Sequence, residues 1–158
     1  AKVMTFLEPP LYSVCHVVAV RRDDSVQVHN FNQIRRLGQE GKIVTLLNTA
    51  THRYLLKQGD LQIVTRKTVQ QMLESVIRGA SRFAYYHSLG LSYVIQKYGY
   101  ENKLKILPVS FRLYHHYIAV SNQLLPVEVA QVSQALNTLK TTGVLDRIYQ
   151  KYSKVDCT

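Results

Sequence analysis

Ile43-Val44-Thr45-Leu46-Leu47-Asn48-Thr49-Ala50-Thr51-His52 reads in two halves. The first five residues form a short, continuous apolar run, the signature of a strand buried on both faces. The next residues include three that cap helices, Asn48, Thr49 and Thr51, and the helix they open runs to Lys57 and stops at Gly59. Strand followed at once by helix is the unit of an α/β fold.

The same unit recurs on either side. Leu61–Thr65 is the next strand. Thr68 with Gln71 forms a capping box ahead of Val69, Met72, Leu73, Val76 and Ile77, whose i, i+3, i+4, i+7, i+8 spacing is the strongest helical signal in the chain. Gly79 ends that helix. Phe83–Tyr86 reads as a strand, Ser88 as the cap of a helix to Tyr98, Gly99 as its stop, and Leu104–Val109 as a further strand. Upstream, Val14–Val20 is β-branched and apolar, and Asn30 with Gln33 caps a helix over residues 31–39. Strand starts near 43, 61, 83 and 104 fit right-handed βαβ crossovers on a parallel sheet. In such sheets ligands bind at the carboxyl ends of the strands, beside helix N-termini.

The chain has 158 residues, 46% of them hydrophobic, which sets one domain as the starting expectation. It begins with Ala1, which reads as removal of a leader or of a longer N-terminal part. No apolar run approaches the ~20 residues of a membrane span. Net charge is +10, concentrated in residues 42–116 with eleven Lys/Arg against three Asp/Glu. A basic middle can attract nucleic acid, an anionic membrane or an anionic solute. No run of five basic residues and no recognition motif occurs, which argues against nucleic acid. Cys15 and Cys157 show no metal spacing, and a disulfide and two free thiols both remain open.

Two segments carry candidate chemistry. Asn48, Thr49, Thr51 and His52 offer hydroxyls and first-turn N–H groups suited to a carboxylate or phosphate, against the plainer reading that they cap their own helix. Tyr86 can stack on a ring and His87 can donate to an acceptor, against the plainer reading of a core aromatic followed by a Ser cap. His115 and His116 are adjacent in a strand, face opposite ways and cannot chelate one ion, so no metal is expected. No nucleophile elbow, paired-carboxylate site or Gly-rich phosphate loop occurs, so no catalytic residue and no cofactor is assigned.

The C-terminal third adds a likeness. Tyr117–Ser121 reads as a strand and residues 126–142 as a long helix, with Pro126 in its first turn, Glu128 at its positive end and Gly143 as its C-cap. The wording ALNTLKTTGVLDRIYQKY, residues 135–152, resembles the C-terminal end of type 2 periplasmic solute-binding proteins, extracellular family 3. Phe6-Leu-Glu-Pro-Pro-Leu-Tyr12 resembles that family's F-S-x-P-Y segment. Residues 17–24 resemble the strand and turn that follow, residues 42–51 its V-G-V-x-x-G-T strand, and residues 74–84 its E-x-L-x-x-G-x-x-D-A segment.

The resemblance implies three parts: residues 1–12 leading in from a first lobe, residues 13–112 as an α/β second lobe, and residues 113–158 as a return strand and C-terminal helices of the first lobe. The resemblance also implies that most of that first lobe is missing here. It implies a small solute held in an interlobe cleft, Tyr12 at its mouth, hinge closure near residues 12–16 and 113–117, and an ABC permease or sensor as partner in the periplasm. The family's carboxylate-binding arginine would lie just upstream of Ala1. Its two aspartates match Arg82 and His87, and a His cannot supply the negative charge that an α-ammonium needs. An anionic, aromatic or sugar-like solute fits better than a standard α-amino acid. An enzyme of dehydratase type on this fold and a basic nucleic-acid-binding module are the alternatives. The apolar stripe Val129, Val132, Leu136 and Leu139 has no sheet of its own to cover it, so pairing with a second copy, tail exchange or membership of a larger polypeptide is expected.

Overall fold

The computed structural model describes residues 3–157. The chain divides into two compact units. Within the described residues, the larger holds Cys15–Leu113 and residues 153–157, and the smaller holds residues 3–14 and Tyr114–Tyr152.

The larger unit is built on a sheet of order β3-β2-β4-β1-β5, where β1 is Met4–Arg21, β2 Ile43–Leu46, β3 Ile63–Arg66, β4 Phe83–His87 and β5 Leu104–Ile106. β2 runs parallel to β3 and to β4, as the repeating strand-helix units require. β1 lies antiparallel between β4 and β5, pairing His16 with His87 and Ala19 with Ile106. Nothing in its local pattern announced that insertion.

Strand alternation sorts the core. Cys15, Val17 and Ala19 join Val44 and Ala84 under α3 (Val69–Ile77) and α4 (Ser88–Lys97), through Met72, Leu73, Val76, Leu91 and Ile95. Val18, Val20, Ile43, Phe83 and Tyr85 face the other way, onto Ile34 of α1 (Phe31–Arg36) and Leu55 of α2 (Ala50–Leu56). The sheet is therefore covered on both faces.

The caps follow the sequence in three places. Asn30 accepts from Gln33 N–H, Thr49 from His52 N–H and Thr68 from Gln71 N–H. α1 is shorter than the expected helix over 31–39, because a 3₁₀ turn takes over at Gly38–Gly41. α4 is capped by His87 rather than by Ser88: His87 Nδ1 accepts from Gly90 N–H at 3.0 Å, and Ser88 is already helical and fully buried. Cys15 and Cys157 form a disulfide, beside which the Ser88 hydroxyl accepts from Cys15 N–H.

In the smaller unit the first part of β1 pairs with β6 (Arg112–Ser121). Thr5 bonds Asn122 and Ser13 bonds His115, so the two strands run in opposite senses. α5 (Pro126–Thr141) lays Leu136 on Leu7 and Val120, with Val129 and Val132 packed around them. The expectation of an uncovered stripe is thus corrected, since the β1–β6 ribbon covers most of it and Leu139 alone of the four is exposed. Leu125 N–H donates to Glu128 at 2.8 Å, which closes the start of α5. α6 (Val144–Tyr152) follows Gly143, whose φ of 68° is the left-handed turn that glycine adopts at no steric cost.

Candidate functional site

The parallel register of β2 and β4 brings their carboxyl ends side by side. Val44 pairs with Ala84, and the Thr45 hydroxyl donates to Tyr85 C=O at 3.0 Å. The segments that leave those ends, Asn48–His52 and His87, therefore emerge at one edge of one sheet.

Each of the first segment's polar groups has a defined role. Asn48 turns the chain with a φ of 61°, a left-handed conformation that Asn tolerates. The Thr49 hydroxyl donates to Leu46 C=O at 2.7 Å and accepts from His52 N–H; it is also 2.7 Å from the hydroxyl of Thr51. Thr51 is buried and Thr45 lies 3.3 Å behind it. The two hydroxyls proposed for a ligand are thus engaged in a chain that braces the turn. The first-turn N–H groups of Ala50 and Thr51 have no acceptor within their own helix. His52 Nδ1 accepts from Asn48 N–H at 3.3 Å, which puts its own proton on Nε2.

His87 is set by the same logic. Its Nδ1 accepts from Gly90 N–H, so the ring is neutral and Nε2 is its N–H donor. Gly90 is required there: a Cβ would come within 2.7 Å of both the His87 and Tyr86 rings. Tyr86 packs against the α3–α4 core with its ring 4.2 Å from that of His87, and its burial raises the phenol's pKa. Tyr12 belongs to the smaller unit, where it stacks on His116 at 4.8 Å and meets Tyr149 at 6.2 Å.

Three residues outside both candidate segments lie at this edge. His16, opposite His87 in the register, is buried and shares a 2.6 Å hydrogen bond between its Nδ1 and the Tyr85 hydroxyl. Burial first, then the neighbouring Arg112 and His87, push its pKa down to about 4. Tyr54 of α2 meets His16 edge-on at 5.4 Å, and Arg112 sits over the Tyr54 ring at 4.7 Å. No spacing rule joins positions 16, 54 and 112; only the antiparallel insertion of β1 does so.

Arg82, where the family segment has an aspartate, lies at the other end of β4. It donates two hydrogen bonds to Asp24 at 2.8 and 2.9 Å, and its guanidinium holds the Asp24 carboxyl below its usual pKa. A cleft of about 500 Å³ opens around that pair. Among the described residues no cluster of His, Cys, Asp and Glu could hold a metal ion.

No protein-family model matches the sequence, and no curated protein matches it significantly. Solved structures do match. An ancestral cationic amino acid solute-binding protein superposes with a TM-score of 0.78 at 16% identity, over 96% of this chain and 63% of that one. A mutant of ArgBP from T. maritima gives 0.73 at 17%, over 95% and 62%. The AvGluR1 ligand-binding domain, in complex with glutamate, gives 0.73 at 18%, over 98% and 62%. The chain spans less than two thirds of each, and identities this low speak for architecture alone. The fold is that of the type 2 periplasmic binding proteins.

Proposed function

We propose that the chain is part of a solute-binding receptor of the family 3 type, which binds a small molecule at the carboxyl ends of β2 and β4 and passes it to an ABC permease or signals its presence to a sensor. The carrying observation is the set of groups gathered at that edge: first-turn N–H groups of α2, and the Nε2 sides of His52 and His87, whose Nδ1 atoms accept backbone N–H groups. All are donors, and no carboxylate stands among Thr45, Asn48, Thr49, Thr51, His52, Tyr54, Tyr85 and His87. A donor-rich, carboxylate-free edge favours a solute that presents acceptors, an anion or an aromatic acid, over one that presents an ammonium. The compartment that goes with this reading is the periplasm, and the candidate nucleic-acid role finds no motif to support it.

A thermal-shift screen of the twenty amino acids, aromatic and aliphatic carboxylates and neutral sugars tests the proposal. A carboxylate at about 100 times its Kd is expected to raise Tm by about 5 °C or more. No shift with any compound would sink solute binding; a largest shift with a cationic amino acid would sink the preference for acceptors alone. A second reading, an enzyme on the same fold, is favoured by one neighbour, the ancestral protein above, which is also described as a precursor of cyclohexadienyl dehydratase. Turnover of a screened carboxylate that disappears in His87→Ala would favour that reading.

A further inference from the structure

We propose that Arg112 is the cation that recognises a carboxylate of the bound solute, held ready on the ring of Tyr54 at the edge where β2 and β4 end. This rests on the solute-binding reading above and names the residue that would give the site its charge preference.

Contacts of the preceding residue define the placement. Phe111 N–H donates to His16 C=O at 2.9 Å, and the Phe111 ring packs on Phe31 at 4.6 Å and on Tyr85 at 5.8 Å. The residue that follows is therefore fixed at the rim of the aromatic cluster, with its side chain exposed. Its guanidinium lies 4.7 Å from the Tyr54 ring centre, and Tyr54 is in turn packed against His16 and Phe31. Contact with a ring uses the cation's charge and leaves its N–H donors for a planar acceptor.

Other arginines of the larger unit are differently engaged. Arg82 is tied to Asp24, Arg78 to Glu74 and Arg21 to Asp23, while Arg22 and Arg35 donate to backbone carbonyls. Among the described residues no carboxylate lies within ion-pair distance of Arg112. His16 lies opposite His87 in the strand register and meets edge-on the Tyr54 ring on which Arg112 rests. An arginine fork beside a neutral imidazole donor, lined by aromatic rings, fits a carboxylate on a small or aromatic body.

Titration calorimetry with two isosteric pairs, L-glutamate against L-glutamine and benzoate against benzamide, tests this on wild type, Arg112→Ala and Arg112→Lys. Wild type is expected to prefer the acid of at least one pair by about tenfold or more, Arg112→Ala to lose that preference through the acid alone, and Arg112→Lys to fall between. Unliganded Tm should stay within about 2 °C of wild type, since Arg112 is exposed. Acid preference retained in Arg112→Ala, or amide bound as tightly as acid by wild type, would overturn the role of Arg112 and leave solute binding standing. Failure of every probe and every screened compound to bind wild type would overturn both.

Discussion

The two units bury apolar surface in different ways. The larger has a five-stranded sheet with a cluster on each face, and Phe83, Tyr85, Leu73, Met72 and Ile43 are wholly enclosed. The smaller has a ribbon and two helices, and its fully formed cluster is Leu7, Val120 and Leu136. Phe6 is 63% exposed, Leu125 61% and Val127 59%, all of them in the smaller unit. A sheet sandwiched between helices can carry its own stability, whereas a ribbon covered on one side recovers only part of the entropy of ordering its chain. The contrast implies that the larger unit sets the global stability and the smaller one opens first.

Leu73→Ala is expected to cost about 2–5 kcal/mol and to lower the main calorimetric transition, while Leu136→Ala shifts a separate, earlier one. A single transition lowered equally by both variants would dissolve the distinction between the units. Loss of the disulfide in Cys15→Ser/Cys157→Ser should cost about 2–4 kcal/mol, because the bridge restrains a denatured loop spanning 142 positions; denaturant midpoints of oxidised and variant protein measure it. An unchanged midpoint would mean that the tail contributes nothing to the larger unit. Acid gives the smallest effect. The folded His16 pKa of about 4 lies below the ordinary 6.5, so the unfolded chain takes up the proton first as pH falls. Stability is then intact above about pH 6.5 and lost progressively down to pH 4, by up to about 3 kcal/mol. In His16→Gln that slope should vanish, and a slope that persists would assign it to other groups.

The sequence was most legible where one segment decides its own structure. The i, i+3, i+4, i+7 spacing gave α3, the Asn30 and Thr68 caps fixed helix starts, and the apolar runs gave β2 and β4. Pairing was less legible: the apolar alternation of β1 specifies two buried faces and is silent on which strands flank it. Pro9 and Pro10 masked its first half as strand, since proline cannot donate to a ladder. His87 was read as a ligand and Ser88 as a cap, whereas the ring nitrogen does the capping and also fixes the tautomer that makes His87 a donor. Period two put Tyr85 and Tyr86 on opposite faces but could not say which one looks toward α2. Arg112 carried no signal, because its setting is assembled from β1, α2 and the loop before β6.

The bond between Cys15 and Cys157 closes the stretch between them into a covalent ring. A protease that cuts a loop anywhere between those positions opens the ring without freeing a fragment. Nicked protein would migrate as one species until a reductant is added, so loops in this chain can be cleaved while both halves stay tethered.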